Sequence, residues 1–287
     1  MPSNQLCFKK SKYDIKVGII GGSGLDDPDI LQNAIAKEVN TPFGKPSSAL
    51  VEGTIGGVPC VVLSRHGKKH NIIPSNVNFR ANIWALKDAG CTHVIVSSAC
   101  GSLQKEIAPG DLVIPDSFID MTKKRVSTFY NNDGPYANTV LHIPMEPAFC
   151  NRTRSLIVDA AKELNIKCKN GGTTVVVEGP RFSSIAESKL FQSWGADLTN
   201  MTMVPEVILA KEAGLCYACI AMATDYDCWN ASEEMVNVEN VVKTFKQNVE
   251  KVKNVMLLAV KKIAAEEWNE TINNLQDVVK GSIQSKE

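Results

Sequence analysis

Apolar residues along the chain gather into short β-branched runs separated by longer segments with helical spacing. Residues 17–20, 58–63, 93–96, 111–114, 173–177 and 216–222 are nearly continuous in Val, Ile, Leu, Cys and Ala. Runs that lack polar alternation suit strands covered on both faces, where both side-chain directions must meet apolar neighbours. The segments between them carry helix punctuation. Residues 75–90 hold Val77, Ile83, Trp84 and Leu86 on one side and stop at Gly90, while Ser184 and Glu187 are spaced as a capping box ahead of Leu190 and Trp194. Pro205 can open a helix that Gly214 closes, and a long helical region runs from about 238 to 265. Alternation of this kind predicts an α/β fold, a mixed central β-sheet flanked by helices. No internal repeat and no linker rich in Pro, Gly or Ser divides the chain. Residues 1–287 therefore read as one domain, with an N-terminal extension over 1–15 and a C-terminal helix and tail from about 268 to 287.

Polar tags follow the strands: "GGSG", "SRHG", "SSACGS", "EGPRFS" and "ATDYD". Ligands of open α/β sheets bind outside the carboxyl ends of strands, so these tags should converge on one crevice. Gly21-Gly22-Ser23-Gly24 would let backbone N–H groups approach an oxyanion, with the serine hydroxyl as a further donor; a plain strand-to-loop turn is the alternative. Asp27 stands where a dinucleotide fingerprint needs its third glycine, no Gly-Lys-Ser/Thr of a P-loop is present, and Leu25 breaks a Gly-x-Ser-x-Gly elbow. Arg65 could grip two phosphate oxygens and His66 donate another bond, unless the two are a surface pair. Asp225 and Asp227 lie two apart at the end of "YACIAMATDYD", where alternate residues of an extended backbone face one ligand. One of two neighbouring carboxyls can hold a raised pKa and act as a proton donor. Surface ion pairs are the bland alternative, and a metal site is disfavoured because no histidine lies within ligand spacing. Cys216 and Cys219 form a Cys-x-x-Cys inside a strand, an offset that sends them to opposite faces and away from zinc or redox chemistry.

Charge narrows the ligand. Lys plus Arg equals Asp plus Glu at 31 each in 287 residues, without any block of five like charges, so neither nucleic acid nor an anionic membrane is an expected partner. A small molecule is. The first residues, "MPSNQLCFKKSKYDIK", are polar, and no window approaches the roughly 18 to 20 apolar residues of a membrane span. Nine cysteines in apolar contexts fit reduced thiols. The expectation is a cytoplasmic protein, with the nucleus as a second compartment.

Longer motifs carry a resemblance. "GIIGGSGL", "FGKPS", "SRHGKKHNIIPSNVNFRANIWALK", "ACGSL", "PGDLVIPDSFID", "VEGPRFSS", "NMTMVPE" and "AMATDYDCW" resemble the trimeric purine nucleoside phosphorylases, and within them the methylthioadenosine-cleaving family, from about Lys16 to about Glu267. The resemblance implies the purine nucleoside phosphorylase fold and phosphorolysis of 5′-methylthioadenosine to adenine and 5-methylthioribose 1-phosphate. It implies inorganic phosphate as co-substrate, no metal or organic cofactor, and a homotrimer with shared sites. By the same resemblance, Ser23, Arg65, His66, Ser98, Ala99 and Thr202 would bind phosphate. Phe182, Ser183, Asn200, Met201 and Thr224 would surround the nucleoside, with Asp225 and Asp227 as catalytic groups. Asp225 would hydrogen-bond or protonate N7, while Asp227 and Ser183 would recognise the amino edge. Two carboxylates are acceptors and suit the 6-amino group of adenine, which donates. Val238, Val242 and, from a neighbouring subunit, His142 would form the apolar 5′ pocket, with Gln284 near it.

Three departures from the family's usual pattern, Ser23 for Thr, Ser97-Ser98 for Thr-Thr and Val242 for Leu, each remove a methyl group or shorten a side chain and make the pocket roomier, and Gln284 puts a polar side chain where the pattern has Leu. They lead to the expectation that adenosine or 2′-deoxyadenosine is also accepted. Rival readings are a 6-oxopurine nucleoside phosphorylase, a nucleotide-binding domain without turnover, and a hydrolytic nucleosidase.

Overall fold

The computed structural model describes residues 12–21, 30–230 and 237–284. Its sheet is built around four parallel strands: β1 (Val17–Gly21), β4 (Val58–Ser64), β5 (His93–Ser102) and β12 (Cys216–Asp225), in the order β4-β1-β5-β12. Antiparallel β3 (Leu50–Ile55) and β2 (Gln32–Lys37) extend it beyond β4. On the other side β5 also pairs antiparallel with β11 (Leu198–Asn200), which continues into parallel β10 (Thr173–Val177) and β7 (Ser117–Met121). A branch from β12 adds β6 (Leu112–Ile114) and β9 (Cys168–Asn170). β8 (Val140–Leu141) and β13 (Ile283–Gln284) form a separate two-stranded sheet. The expected mixed sheet is present.

Alternation along the central strands divides the core in two. On β12, Tyr217, Cys219, Ala221 and Ala223 face one cluster and Cys216, Ala218, Ile220 and Met222 the other. The Cys-x-x-Cys pair is thus split across the sheet, as its offset required. Helices α1 (Phe79–Asp88) and α4 (Met203–Glu212) cover the first face through Phe79, Ile83, Leu86, Val207 and Leu209. The second is covered by α2 (Asn151–Glu163), α5 (Val238–Ala264) and α6 (Asn269–Gly281), which bury Ile157, Val158, Val252, Val255, Met256, Ile263 and Ile272. α3 (Ile185–Ser193) starts with the anticipated box: Ser184 Oγ accepts from Glu187 N–H, and Glu187 Oε2 accepts from Ser184 N–H.

Three boundaries differ from the sequence expectation. α1 starts at Phe79 rather than near Ser75, because Asn78 caps it by accepting from Ala81 N–H, and residues 74–76 form a 3-10 turn. α4 starts two residues before Pro205, with Thr202 at its cap position. β5 and β12 run on through "SSACGS" and "ATD", so these tags lie inside paired strands, with a register shift between Ala223 and Asp225.

Candidate active site

The strand ends do converge. A cavity of about 320 Å³ is lined by Arg65 and His66 after β4, Ser98, Ala99, Cys100 and Gly101 on β5, and Thr199 and Asn200 on β11. Phe182 and Ser183 after β10, Met201 and Thr202 before α4, and Thr224, Asp225 and Asp227 at the end of β12 complete most of the wall. Ser23 lies outside the described residues, though Gly21 is tied to the site by the Arg65 N–H to Gly21 O bond of 3.0 Å.

One end of the cavity is rich in donors. Ser98 Oγ and Thr202 Oγ1 are 3.5 Å apart. Asn200, which also lines the cavity, organises them. Its Nδ2 donates to Ser98 Oγ (2.6 Å) and Ala99 O (3.3 Å), while its Oδ1 accepts from Thr202 N–H (2.7 Å) and Met203 N–H (2.6 Å). Both ends of the amide are committed to bonds within the protein. Arg65 is also engaged: Nε and Nη2 donate to the two oxygens of Glu206 at 2.7 and 3.0 Å, and Nη1 donates to Ser97 O at 3.1 Å. His66 bonds through Nδ1 to the Ile72 carbonyl at 2.8 Å. A carbonyl only accepts, so Nδ1 carries the proton and a neutral ring presents Nε2 as an acceptor. Burial, then the Arg65 charge, lowers the His66 pKa to about 4. The neutral imidazole accepts at Nε2 where the sequence suggested a donor.

The end of β12 is rich in acceptors. Asp225 Oδ2 accepts from Thr224 Oγ1 and Oδ1 from Asp227 N–H, both at 2.7 Å. Asp227 has φ +49°, a left-handed residue, so a side-chain-to-backbone turn brings the two carboxyls together rather than the extended backbone the spacing suggested. Trp229 Nε1 donates to Ser102 O at 2.8 Å and pins that turn to β5. Asp227 Oδ2 is buried and makes no hydrogen bond of ordinary geometry among the described residues. Burial raises the Asp225 pKa, helped by the Asp227 charge and opposed by the bonds from Thr224 and the Asp227 amide. Burial raises that of Asp227 as well, against the Ser188 and Ser183 hydroxyls.

A model of the phosphorylase superfamily matches residues 16–261. The S-methyl-5′-thioadenosine phosphorylase of Anopheles gambiae is 61% identical over 94% of this chain and 96% of its own. The chain belongs to the methylthioadenosine phosphorylase family. The S-methyl-5′-thioadenosine phosphorylase of Xenopus tropicalis is 58% identical over 94% of this chain and 96% of its own. Methylthioadenosine phosphorylase from Schistosoma mansoni in complex with adenine superposes with a TM-score of 0.91 at 48% identity, over 94% of this chain and 99% of that one. A mutant adenosine/methylthioadenosine phosphorylase from the same organism, in complex with methylthioadenosine, gives 0.89 at 47%, with coverage of 94% and 99%.

In this phosphorylase-family chain the anticipated 5′ residues fall elsewhere. Val241 lines the cavity, whereas Val238 and Val242 are 66% and 36% exposed and do not. His142 and Gln284 are exposed and away from this chain's cavity, yet beside each other: Gln284 pairs with Val140, and His142 N–H donates to Ser282 O at 3.0 Å. Sequence reasoning missed His70 and Ile72 on the loop after β4, Gly101, Thr199, Val241 and the buried Glu206. Only Glu206 had a local signal, a carboxylate set among apolar residues in "MVPEVILA".

Proposed function

We propose that this chain catalyses phosphorolysis of 5′-methylthioadenosine to adenine and 5-methylthioribose 1-phosphate. The carrying observation is that one cavity is lined both by the Arg65, Ser98 and Thr202 donors and by the Asp225/Asp227 acceptors. Phosphate at the donor end attacks the anomeric carbon as the bond to purine N9 breaks and its electron pair passes to adenine. A proton from Asp225 to N7 neutralises that leaving group, and the raised pKa favours the protonated carboxyl. Asp227, which lines the same cavity, accepts from the 6-amino group of the base. Phe182 and Met201 pack against base and sugar. Phosphate is itself the nucleophile, so the reaction calls for no resident metal or organic cofactor. Incubation with methylthioadenosine tests the reading: adenine should appear only when phosphate is present, and release in phosphate-free buffer would establish a nucleosidase instead.

The active form is a homotrimer in which His142 and Gln284 of one subunit complete the 5′ pocket of the next. Their exposure on the β8/β13 sheet, away from their own cavity, supports this. A polar Gln284 extends the substrates to adenosine and 2′-deoxyadenosine. The relation to an adenosine/methylthioadenosine phosphorylase from Schistosoma mansoni supports that extension. Gln284→Leu should raise the ratio of kcat/KM for methylthioadenosine over adenosine; an unchanged ratio would remove Gln284 from the argument. The eight described cysteines are free thiols, and among the described residues no helix is long and apolar enough to cross a membrane; the thiols support placement in the cytoplasm or nucleus.

A further inference from the structure

Arg65 does not stand free at the phosphate end of the cavity. It shares a two-pronged pair with Glu206, and Tyr217 adds a third donor, its hydroxyl lying 2.9 Å from Glu206 Oε2. Glu206 is 0%, Arg65 1% and Tyr217 2% exposed, so bulk water competes little for the contacts among the three. A fork-to-fork pair fixes the plane of the guanidinium as well as its place. Of the five guanidinium N–H groups, two go to Glu206 and one to Ser97 O. The other two have no acceptor among the described residues, and Arg65 borders the cavity while Glu206 does not.

We propose that Glu206, steadied by Tyr217, is a positioning residue for phosphate, setting the plane of the Arg65 fork so that its two remaining N–H groups meet the anion. The proposal rests on the phosphorolytic reading above. It brings together the residue that follows β4, which carries the guanidinium, α4, which carries the carboxylate, and β12, which carries the phenol. A carboxylate near an anion site also repels the anion, so the two possible roles of Glu206 have opposite signs. Positioning makes phosphate bind more weakly when Glu206 is replaced, and charge compensation alone makes it bind more tightly.

Steady-state kinetics with phosphate and methylthioadenosine varied separately decide between them. Glu206→Gln should raise the KM for phosphate at least about tenfold and leave the KM for methylthioadenosine within about twofold. A phosphate KM that is unchanged or lower, or two KM values that rise together, would overturn the proposal. Tyr217→Phe removes one hydroxyl and serves where Glu206→Gln fails to fold. It should raise the phosphate KM about two- to fivefold, and should add little when combined with Arg65→Lys, whose side chain has no fork to aim. Additive effects in that cycle would also overturn it. Wild-type protein releasing adenine without phosphate would refute phosphorolysis itself, whereas phosphate-dependent wild type with variants of unaltered phosphate KM refutes only the role of Glu206.

Discussion

His93 opens β5 with its ring edge-on to Trp268, the centroids 4.2 Å apart at 78°. It is fully buried, its Nδ1 lies 2.9 Å from Thr92 Oγ1, and Nε2 has no partner among the described residues. Burial, with a smaller contribution from the Arg152 charge, lowers its pKa from 6.5 to about 3. The unfolded chain therefore takes up a proton near pH 6.5 that the folded chain refuses until near pH 3, and stability falls as the pH drops through that window. One such histidine removes about 2 kcal/mol between pH 7 and pH 5. In urea titrations at those two pH values, His93→Phe should shrink the pH-dependent loss by that amount; parallel losses in both proteins would show that His93 does not titrate this way. His66, lowered to about 4, acts in the same direction. Asp225 is the opposite kind of group, a carboxyl driven toward its neutral form. Asp225→Asn should reduce kcat on methylthioadenosine at least about tenfold if that proton assists departure of adenine. Retained kcat would place the proton source elsewhere.

The aspartate turn depends on the strand beside it. A Cβ on Gly101 of β5 would stand 2.7 Å from Thr199 Oγ1, 3.1 Å from Asp225 Oδ1 and 3.3 Å from Asp227 Cβ. The end of β12 can close over β5 only because that position has no side chain. Gly101→Ala should therefore cut kcat by about tenfold or more with the fold retained, because small displacements of reacting groups are costly. Near wild-type kcat, with circular dichroism unchanged, would show that the turn has slack. The sequence made much of this element level visible: the apolar runs became β1, β4, β10 and the cores of β5 and β12, and Ser184 and Glu187 formed their box. It hid β2, β7, β9 and β11, whose sequences "QNAIAK", "SFIDM", "CKN" and "LTN" are short or polar. Such segments become strands by pairing with a neighbour, which local composition does not record. The helix α2 escaped notice because Cys150 at its cap position makes no side-chain cap bond.

At the scale of the molecule, the small β8/β13 sheet carries two expected 5′ residues on its surface and away from the cavity of its own chain. If a neighbour receives them, light scattering should report three times the 31.2 kDa chain mass. His142→Ala should lower kcat/KM for methylthioadenosine while leaving the KM for phosphate unchanged. A monomer with full activity, or a phosphate effect from His142→Ala, would count against shared sites.

Much of the chemistry was legible along the chain because turns, apolar runs and motif residues express local physics. Backbone freedom at glycine, the two-residue period of a strand and the acceptor character of carboxylates act within a few positions. The strand-end tags pointed to Arg65, Asp225 and Asp227, the family resemblance added Ser98 and Thr202, and all five line one cavity. The tertiary structure decided which polar atoms are already occupied. Arg65 and Glu206 lie 141 residues apart, and Asn200 meets Ser98 across 102, so no spacing rule could show that these pairs consume each other's hydrogen bonds. Burial removes water as a competing partner, and only packing says which groups are buried.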